Sequence, residues 1–214
     1  MATARKPTPP TVVLLVRHAL TPTTGKVLPG RARGLHLSED GRRQAEAAAR
    51  RIAPLPRVAA IYSSPLERAR ETAAPIARAR RLPIRIDRGL LECDFGDWTG
   101  ERLDRLSKRP EWEVVQRHPS AFRFPGGESF TELQARITGA LARVVAQHPG
   151  RVVVAVSHAD PIKAAVAHAL GMPLDLFQRI VIGTASITAI AYGRTNATAL
   201  TVNSLDGDLG LMVG

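Results

Sequence analysis

The chain has 214 residues, 44% hydrophobic and 23% charged, which suits a single domain with a sizeable core and argues against wholesale disorder. Its one cysteine, Cys93, excludes an internal disulfide framework, and its apolar runs are far too short to cross a bilayer, so a soluble cytoplasmic protein is expected. The net charge of +11 comes from 30 Lys and Arg against 19 Asp and Glu, scattered and interleaved along the chain. That charge has two readings, a polyanionic partner (nucleic acid, a membrane surface or a small phosphorylated molecule) or a generally solvated basic surface, and the lack of an aromatic-studded strand or binding motif beside it argues against nucleic acid.

The opening "MATARKPTPP" is polar and proline-rich, with no apolar stretch of a signal peptide behind it. Residues 1–11 are read as a loose tail. "TVVLLV" (11–16) is a continuous β-branched run, the pattern of a strand covered on both faces. "LSEDGRRQAEAAARRIA" (37–53) follows as a helix, with Ser38 as its cap and acids in its opening turn. A short strand (58–64), a helix opened by proline (65–81) and a further strand (82–87) come next. Residues 88–127 are irregular, with a charged helical piece and punctuating prolines and glycines, and read as a lid insertion. A helix over 128–148, a strand "RVVVAVS" (151–157) and a helix over 160–170 repeat the strand-then-helix pattern. Two alternating strands at the end, "ASITAIAYG" and "ATALTVNS", suggest a hairpin around Arg194–Asn196. The expected fold is α/β in three layers, a mostly parallel sheet with helices on both faces. One domain over 12–205 accounts for the chain, with 206–214 as a C-terminal tail. The apolar end "LGLMVG" leaves a homodimer open.

In open α/β sheets, ligands gather at the carboxyl ends of the strands. Three of the expected strands end in polar groups there: Arg17-His18, Ser63-Ser64 and Ser157-His158. A neutral imidazole can take up a phosphoryl group, arginine forks match its oxygens, and a carboxylic acid of raised pKa can protonate the departing alkoxide. Arg68, one turn into the helix that follows Pro65, can curl back toward the same place, and Glu92 lies on the irregular segment above the sheet.

At these positions the chain resembles the histidine phosphatase superfamily, the phosphoglycerate mutase-like proteins. "LLVRHALT" stands for that family's strand and Arg-His-Gly, "SSPLERARETA" for its second signature, and "ECDFGDWTG" for its acid before Phe-Gly-x-Trp. "FPGGES", "VVVAVSHAD" and "LSEDGRRQA" match further stretches, so that six matches cover about residues 11–170 in order. The resemblance implies a phosphoglycerate mutase-like fold, no metal and no cofactor. It implies that His18 is the phosphorylated nucleophile, that Arg17 and Arg68 clamp the phosphoryl oxygens, that His158 donates to them, and that Glu92 is the general acid and base.

Two alanines stand where the family carries glycines, Ala19 after the first histidine and Ala159 after the second, and ordinary backbone angles are expected at both. Thr24 falls where the family has an asparagine contacting phosphate, and Arg31 in "PGRARG" is a candidate substrate contact. The substrate-binding set expected is thus Arg17, Thr24, Arg31, Arg68, His158 and Ala159. The expected activity is metal-independent hydrolysis of a small phosphate monoester. A phosphomutase is the nearest alternative, although the Arg-His-Tyr-like stretch of mutases is replaced here by "CDFGDW". An inactive relative that binds phosphorylated ligands or nucleic acid is the alternative from another class.

Overall fold

The computed structural model describes residues 9–213. Four strands run parallel: β1 (Thr11–Arg17), β2 (Val58–Ser63), β3 (Ile84–Ile86) and β4 (Val152–Ser157). β5 (Ile187–Tyr192) and β6 (Ala197–Ser204) close one side antiparallel, giving the sheet order β3-β2-β4-β1-β5-β6. The expected hairpin is there, with the Gly193 N–H donating to the Asn196 carbonyl at its turn. Thr11, placed in the tail by sequence, is already the first residue of β1, and residues 1–8 of that expected tail lie outside the described residues.

Alternation along the central strands sorts the core into two layers. Val12, Leu14, Val16, Val152, Val154 and Val156 point to one face. They pack there on α1 (Glu39–Ile52) and α2 (Glu67–Arg80) through Ala49, Ile52, Ala69, Ala73 and Ile76. Val13, Leu15, Val153 and Ala155 point to the other face, against α5 (Phe130–Gln147) and α6 (Ala159–Ala169) through Leu133, Ile137, Leu141, Ile162 and Val166. Both faces of β1 and β4 are therefore covered, which is why their sequences read as unbroken apolar runs.

Sequence caps fix the helix starts. The Ser38 hydroxyl accepts the Gly41 N–H, and Ser129 and Glu132 form a reciprocal capping box at the start of α5. Gly41 is also a packing glycine, since a Cβ there would lie 2.0 Å from the Leu20 carbonyl oxygen.

Between β3 and α5 the chain forms two short 3-10 turns (Arg88–Leu90 and Gly96–Trp98), α3 (Leu103–Leu106), α4 (Pro110–Arg117) and a last turn at Pro119–Ala121. Aromatic rings fasten this segment to the core: Phe124 packs edge-on to Phe95, Trp98 and Phe130, and Phe130 continues to Phe177. After β6 the chain turns back and ends in α7 (Gly210–Val213). Leu209 is buried in the α1/α2 layer, and Arg51 donates to the carbonyls of Ser204, Asp206 and Gly207. Among the described residues no helix is long and apolar enough to cross a membrane.

Candidate active site

β1 and β4 are paired in register with Arg17 beside Ser157, and the His18 N–H donates to the Ser157 carbonyl, so both strands deliver a histidine at one level. The rings of His18 and His158 have centroids 5.1 Å apart and planes inclined at 58°. Both are buried. His18 Nδ1 lies 2.8 Å from the Ala19 carbonyl, which can only accept; the proton therefore sits on Nδ1 and the lone pair on Nε2. Burial, with Arg68 and Arg17 behind it, pushes the His18 imidazole down to about 3.

His158 Nε2 is 2.8 Å from the Ser64 hydroxyl, which also accepts the Leu66 N–H. With the Ser64 proton given to Nε2, Nδ1 of His158 carries the ring proton, and this buried nitrogen has no partner among the described residues. Burial, and then Arg68, hold His158 well below its ordinary value, so it stays neutral, and in the tautomer that accepts the Ser64 proton its Nδ1–H is a donor.

Arg68 is fully buried at the first turn of α2. Its Nη2 donates to the Gly30 carbonyl at 2.7 Å, while Nε and Nη1 have no partner among the described residues. Gly30 is in the left-handed region at φ +47°, and a Cβ there would lie 2.8 Å from Thr99 Oγ1, so only glycine presents its carbonyl this way. Arg17 donates to the Ile182 carbonyl at 2.6 Å and leaves its buried Nε unpartnered. Burial lowers both guanidinium pKa values; the Glu92 charge pulls each back up.

Glu92 is buried, and its Oε1 accepts the Cys93 N–H at 3.0 Å. Burial first, and then the Asp160 carboxylate, push its carboxyl up to about 7, against the pull of Arg68 and Arg17. His18, Arg17, Arg68, His158 and Glu92 therefore stand within one another's fields. Four buried nitrogens, Arg17 Nε, Arg68 Nε and Nη1 and His158 Nδ1, have no partner among the described residues. Buried donors are ordinarily satisfied, so this concentration on three neighbouring residues fits a small anion of several oxygens.

The other expected residues lie elsewhere in the network. Ala159 is the half-buried first residue of α6, beside His158. Ala19 and Ala159 both have ordinary negative φ, as their replacement of glycine required. The Thr24 hydroxyl closes a local turn, accepting the Thr21 N–H and pairing with the Thr21 hydroxyl. Arg31 donates to the Glu92 carbonyl, to Asp94 and to Glu128, so its fork is engaged inside the protein. Sequence reasoning missed Arg136, which reaches the Gly89, Leu91 and Glu92 carbonyls and both oxygens of Glu128. It also missed Thr72, whose hydroxyl accepts the Ala19 N–H and donates to the Arg68 carbonyl. A third omission is Asp160, one turn from Lys163 and felt by both Glu92 and Arg17.

A family model, histidine phosphatase superfamily (branch 1), matches residues 13–205. The chain belongs to the histidine phosphatase superfamily. It is 33% identical over 207 residues to Bifunctional protein Rv2228c of Mycobacterium tuberculosis, covering 94% of this chain and 55% of that one, so it spans about half the length of that relative. Phosphoserine phosphatase 1 of Hydrogenobacter thermophilus is 32% identical over 204 residues, covering 89% of this chain and 91% of the other. Among solved structures, a mycobacterial glucosyl-3-phosphoglycerate phosphatase superposes with a TM-score of 0.80 at 28% identity, covering 90% of this chain and 98% of that one. YhfR of Bacillus stearothermophilus gives 0.85 at 27% identity, covering 92% and 98%. These relatives support a phosphatase or mutase-like enzyme on the phosphoglycerate mutase-like fold.

Proposed function

We propose that this superfamily member hydrolyses a small phosphate monoester through a phosphohistidine on His18. The observation that carries this reading is the neutral His18 with its free Nε2 lone pair, in the field of Arg17 and Arg68 and 5.1 Å from the His158 ring, together with four buried nitrogens of these three residues that have no partner among the described residues. Nε2 attacks phosphorus, the P–O bond to the alcohol breaks, and the alkoxide takes the proton of Glu92. The guanidinium forks and the His158 N–H stabilise the equatorial oxygens in transit. Glu92, now a carboxylate, takes a proton from water as that water attacks the phosphohistidine. The P–N bond breaks, phosphate leaves, and His18 and Glu92 return to their starting states. Glu92 suits both halves because its pKa of about 7 makes it acid or base near neutrality.

The test is phosphate release from p-nitrophenyl phosphate and a panel of metabolite monoesters, in EDTA at mildly acidic pH. Wild type should turn over, His18→Ala should not, and labelled substrate should leave acid-labile label on His18. Silence of the wild type on the whole panel, or label on another residue, overturns the reading. Return of the label to a second hydroxyl of the substrate, in place of water, makes the enzyme a mutase.

A further inference from the structure

The Ser157 hydroxyl donates to the Leu90 carbonyl at 2.8 Å, which lays the segment carrying Glu92 along the junction of β4 and α6. Asp160 stands at that junction, in the first turn of α6, where the helix N-terminus favours a carboxylate. Glu92 lies within its field and faces two cations as well, Arg17 at the end of β1 and Arg68 on α2. The other charged groups nearby are engaged with one another. Arg31 and Arg136 hold the Glu92 carbonyl and pair with Asp94 and Glu128. Buried Cys93 gives its N–H to Glu92, and His18 and His158 are neutral. Asp160 therefore opposes two guanidinium groups at the catalytic acid.

Asp160 does not act there with its whole charge. Its Oδ1 accepts Lys163 Nζ at 3.3 Å, one turn along α6. Lys163 also donates to Gln178 Oε1 at 2.9 Å and lies 5.7 Å over the Phe177 ring, while Gln178 Nε2 reaches the Val115 carbonyl of α4 at 3.4 Å. These three polar side chains share a hollow of about 150 Å³ with Phe95, Trp112 and Phe124. The shelter matters for the strength of the pair. The Asp160 and Lys163 side chains are 15% and 17% exposed, against 84% and 64% for the surface pair Glu39 and Arg43, so water and salt screen them far less.

We infer that Lys163 is a positioning residue for the proposed reaction, claiming part of the Asp160 charge that otherwise acts on Glu92. Asp160 makes Glu92 hold its proton more firmly. Lys163 moderates that hold, so that Glu92 can both give the proton to the leaving alkoxide and take one back from water. The catalytic role rests on the phosphatase reading above; the electrostatic link among the three side chains does not.

The experiment follows the Glu92 carboxyl carbon against pH by 13C NMR of the full chain, with Glu92→Gln assigning the signal. Beside it runs the alkaline limb of kcat/KM for an alkyl phosphate. Each reads a midpoint, which is independent of the folded fraction. From the wild-type value of about 7, Asp160→Asn should move the midpoint down by about one pH unit and Lys163→Met should move it up by about half a unit. Lys163→Arg keeps the charge and should stay within about 0.2 units of wild type. On the Asp160→Asn background, Lys163→Met should add nothing. That double variant leaves no half-buried charge alone, so it reads the link even if Lys163→Met does not fold. Midpoints that stay at the wild-type value, single variants that move the same way, or an upward shift that persists on the Asp160→Asn background overturn the inference and spare the phosphatase reading. A kinetic limb that stays put while the NMR midpoint moves overturns the catalytic role of Lys163. A wild type silent on every ester overturns the phosphatase reading, and the NMR midpoints then uphold or overturn the link by themselves.

Discussion

Arg68 donates from Nη2 to the Gly30 carbonyl at 2.7 Å, while its Nε and Nη1 are buried with no partner among the described residues. A cation so placed, with Arg17 as a like-charged neighbour, is expensive without an anion between them. Inorganic phosphate or vanadate should therefore raise Tm steeply, by mass action on the folded state worth about 2.7 kcal/mol at a hundred times Kd. Arg68→Met should abolish that rise and cost about 10²–10³-fold or more in kcat/KM, while leaving the phosphate-free Tm unchanged or higher. Thermal melts with and without phosphate decide it. A large drop in the phosphate-free Tm of the variant would show that Arg68 is a structural group.

The pH dependence of activity should follow Glu92 on its alkaline side. The free enzyme needs a protonated Glu92 and an unprotonated His18, and these stand at about 7 and about 3. kcat/KM should hold across acidic and neutral pH, apart from the ester's own titration near pH 6, and fall about ten-fold per unit above 7. Glu92→Gln should lose the limb near 7. A limb that survives in the variant assigns it to another group.

Stability carries the same two groups with opposite signs. The unfolded chain protonates His18 below 6.5 and the fold refuses that proton until about 3, so stability is lost as pH falls through this window; His158 acts in the same direction. The fold keeps the Glu92 proton up to about 7, whereas the unfolded carboxyl releases it near 4.5, so stability is lost as pH rises between those values. Relative to wild type, Glu92→Gln should gain in Tm from pH 4.5 to 7, and His18→Ala should gain as pH falls below 6.5. Parallel melting curves would contradict both pKa directions.

Glu92 also predicts a dependence on the leaving group. An alkoxide needs its proton; p-nitrophenolate leaves without one. Glu92→Gln should cost alkyl phosphates about 10²–10⁴-fold. With p-nitrophenyl phosphate it should still release a rapid burst of nitrophenolate, one per active site, before slow turnover, because the water step has lost its base. Equal losses on both ester types, with no burst, would place Glu92 outside proton transfer.

How far the sequence revealed this molecule depends on the range over which each residue acts. β1 and β4 were legible because burial on both faces writes an unbroken apolar run, and His18 and His158 because each stands where such a run stops. α1 was legible from Ser38 and the acids behind it. Arg31 was harder, since its partners Asp94 and Glu128 lie 63 and 97 residues away and nothing near it in the chain foretells them. Arg136 left a faint signal: it sits within the Leu133, Ile137, Leu141 stripe of α5, and a guanidinium beside an apolar stripe must find buried acceptors. The packed state of residues 95–124 was the least visible, because rings spaced irregularly along a loop show no period until the fold brings them together.

Two alanines beside the site respond to glycine in opposite ways. Ala19 follows His18 at an ordinary φ, is fully buried, and gives its N–H to Thr72. Restoring the family's glycine there relaxes nothing and adds freedom to the unfolded chain, so Ala19→Gly should cost about 0.5–1 kcal/mol and leave kcat no higher. Ala185 is in the left-handed region at φ +56°, where its N–H faces the Arg17 carbonyl at 3.1 Å and the His18 carbonyl at 3.4 Å. A Cβ in that conformation costs about 1–2 kcal/mol, more than the entropy a glycine surrenders, so Ala185→Gly should stabilise the fold. Denaturant midpoints of the two variants test the pair. Stabilisation by Ala19→Gly would mean that the turn after His18 is strained, and that the missing glycine had been a loss to this chain.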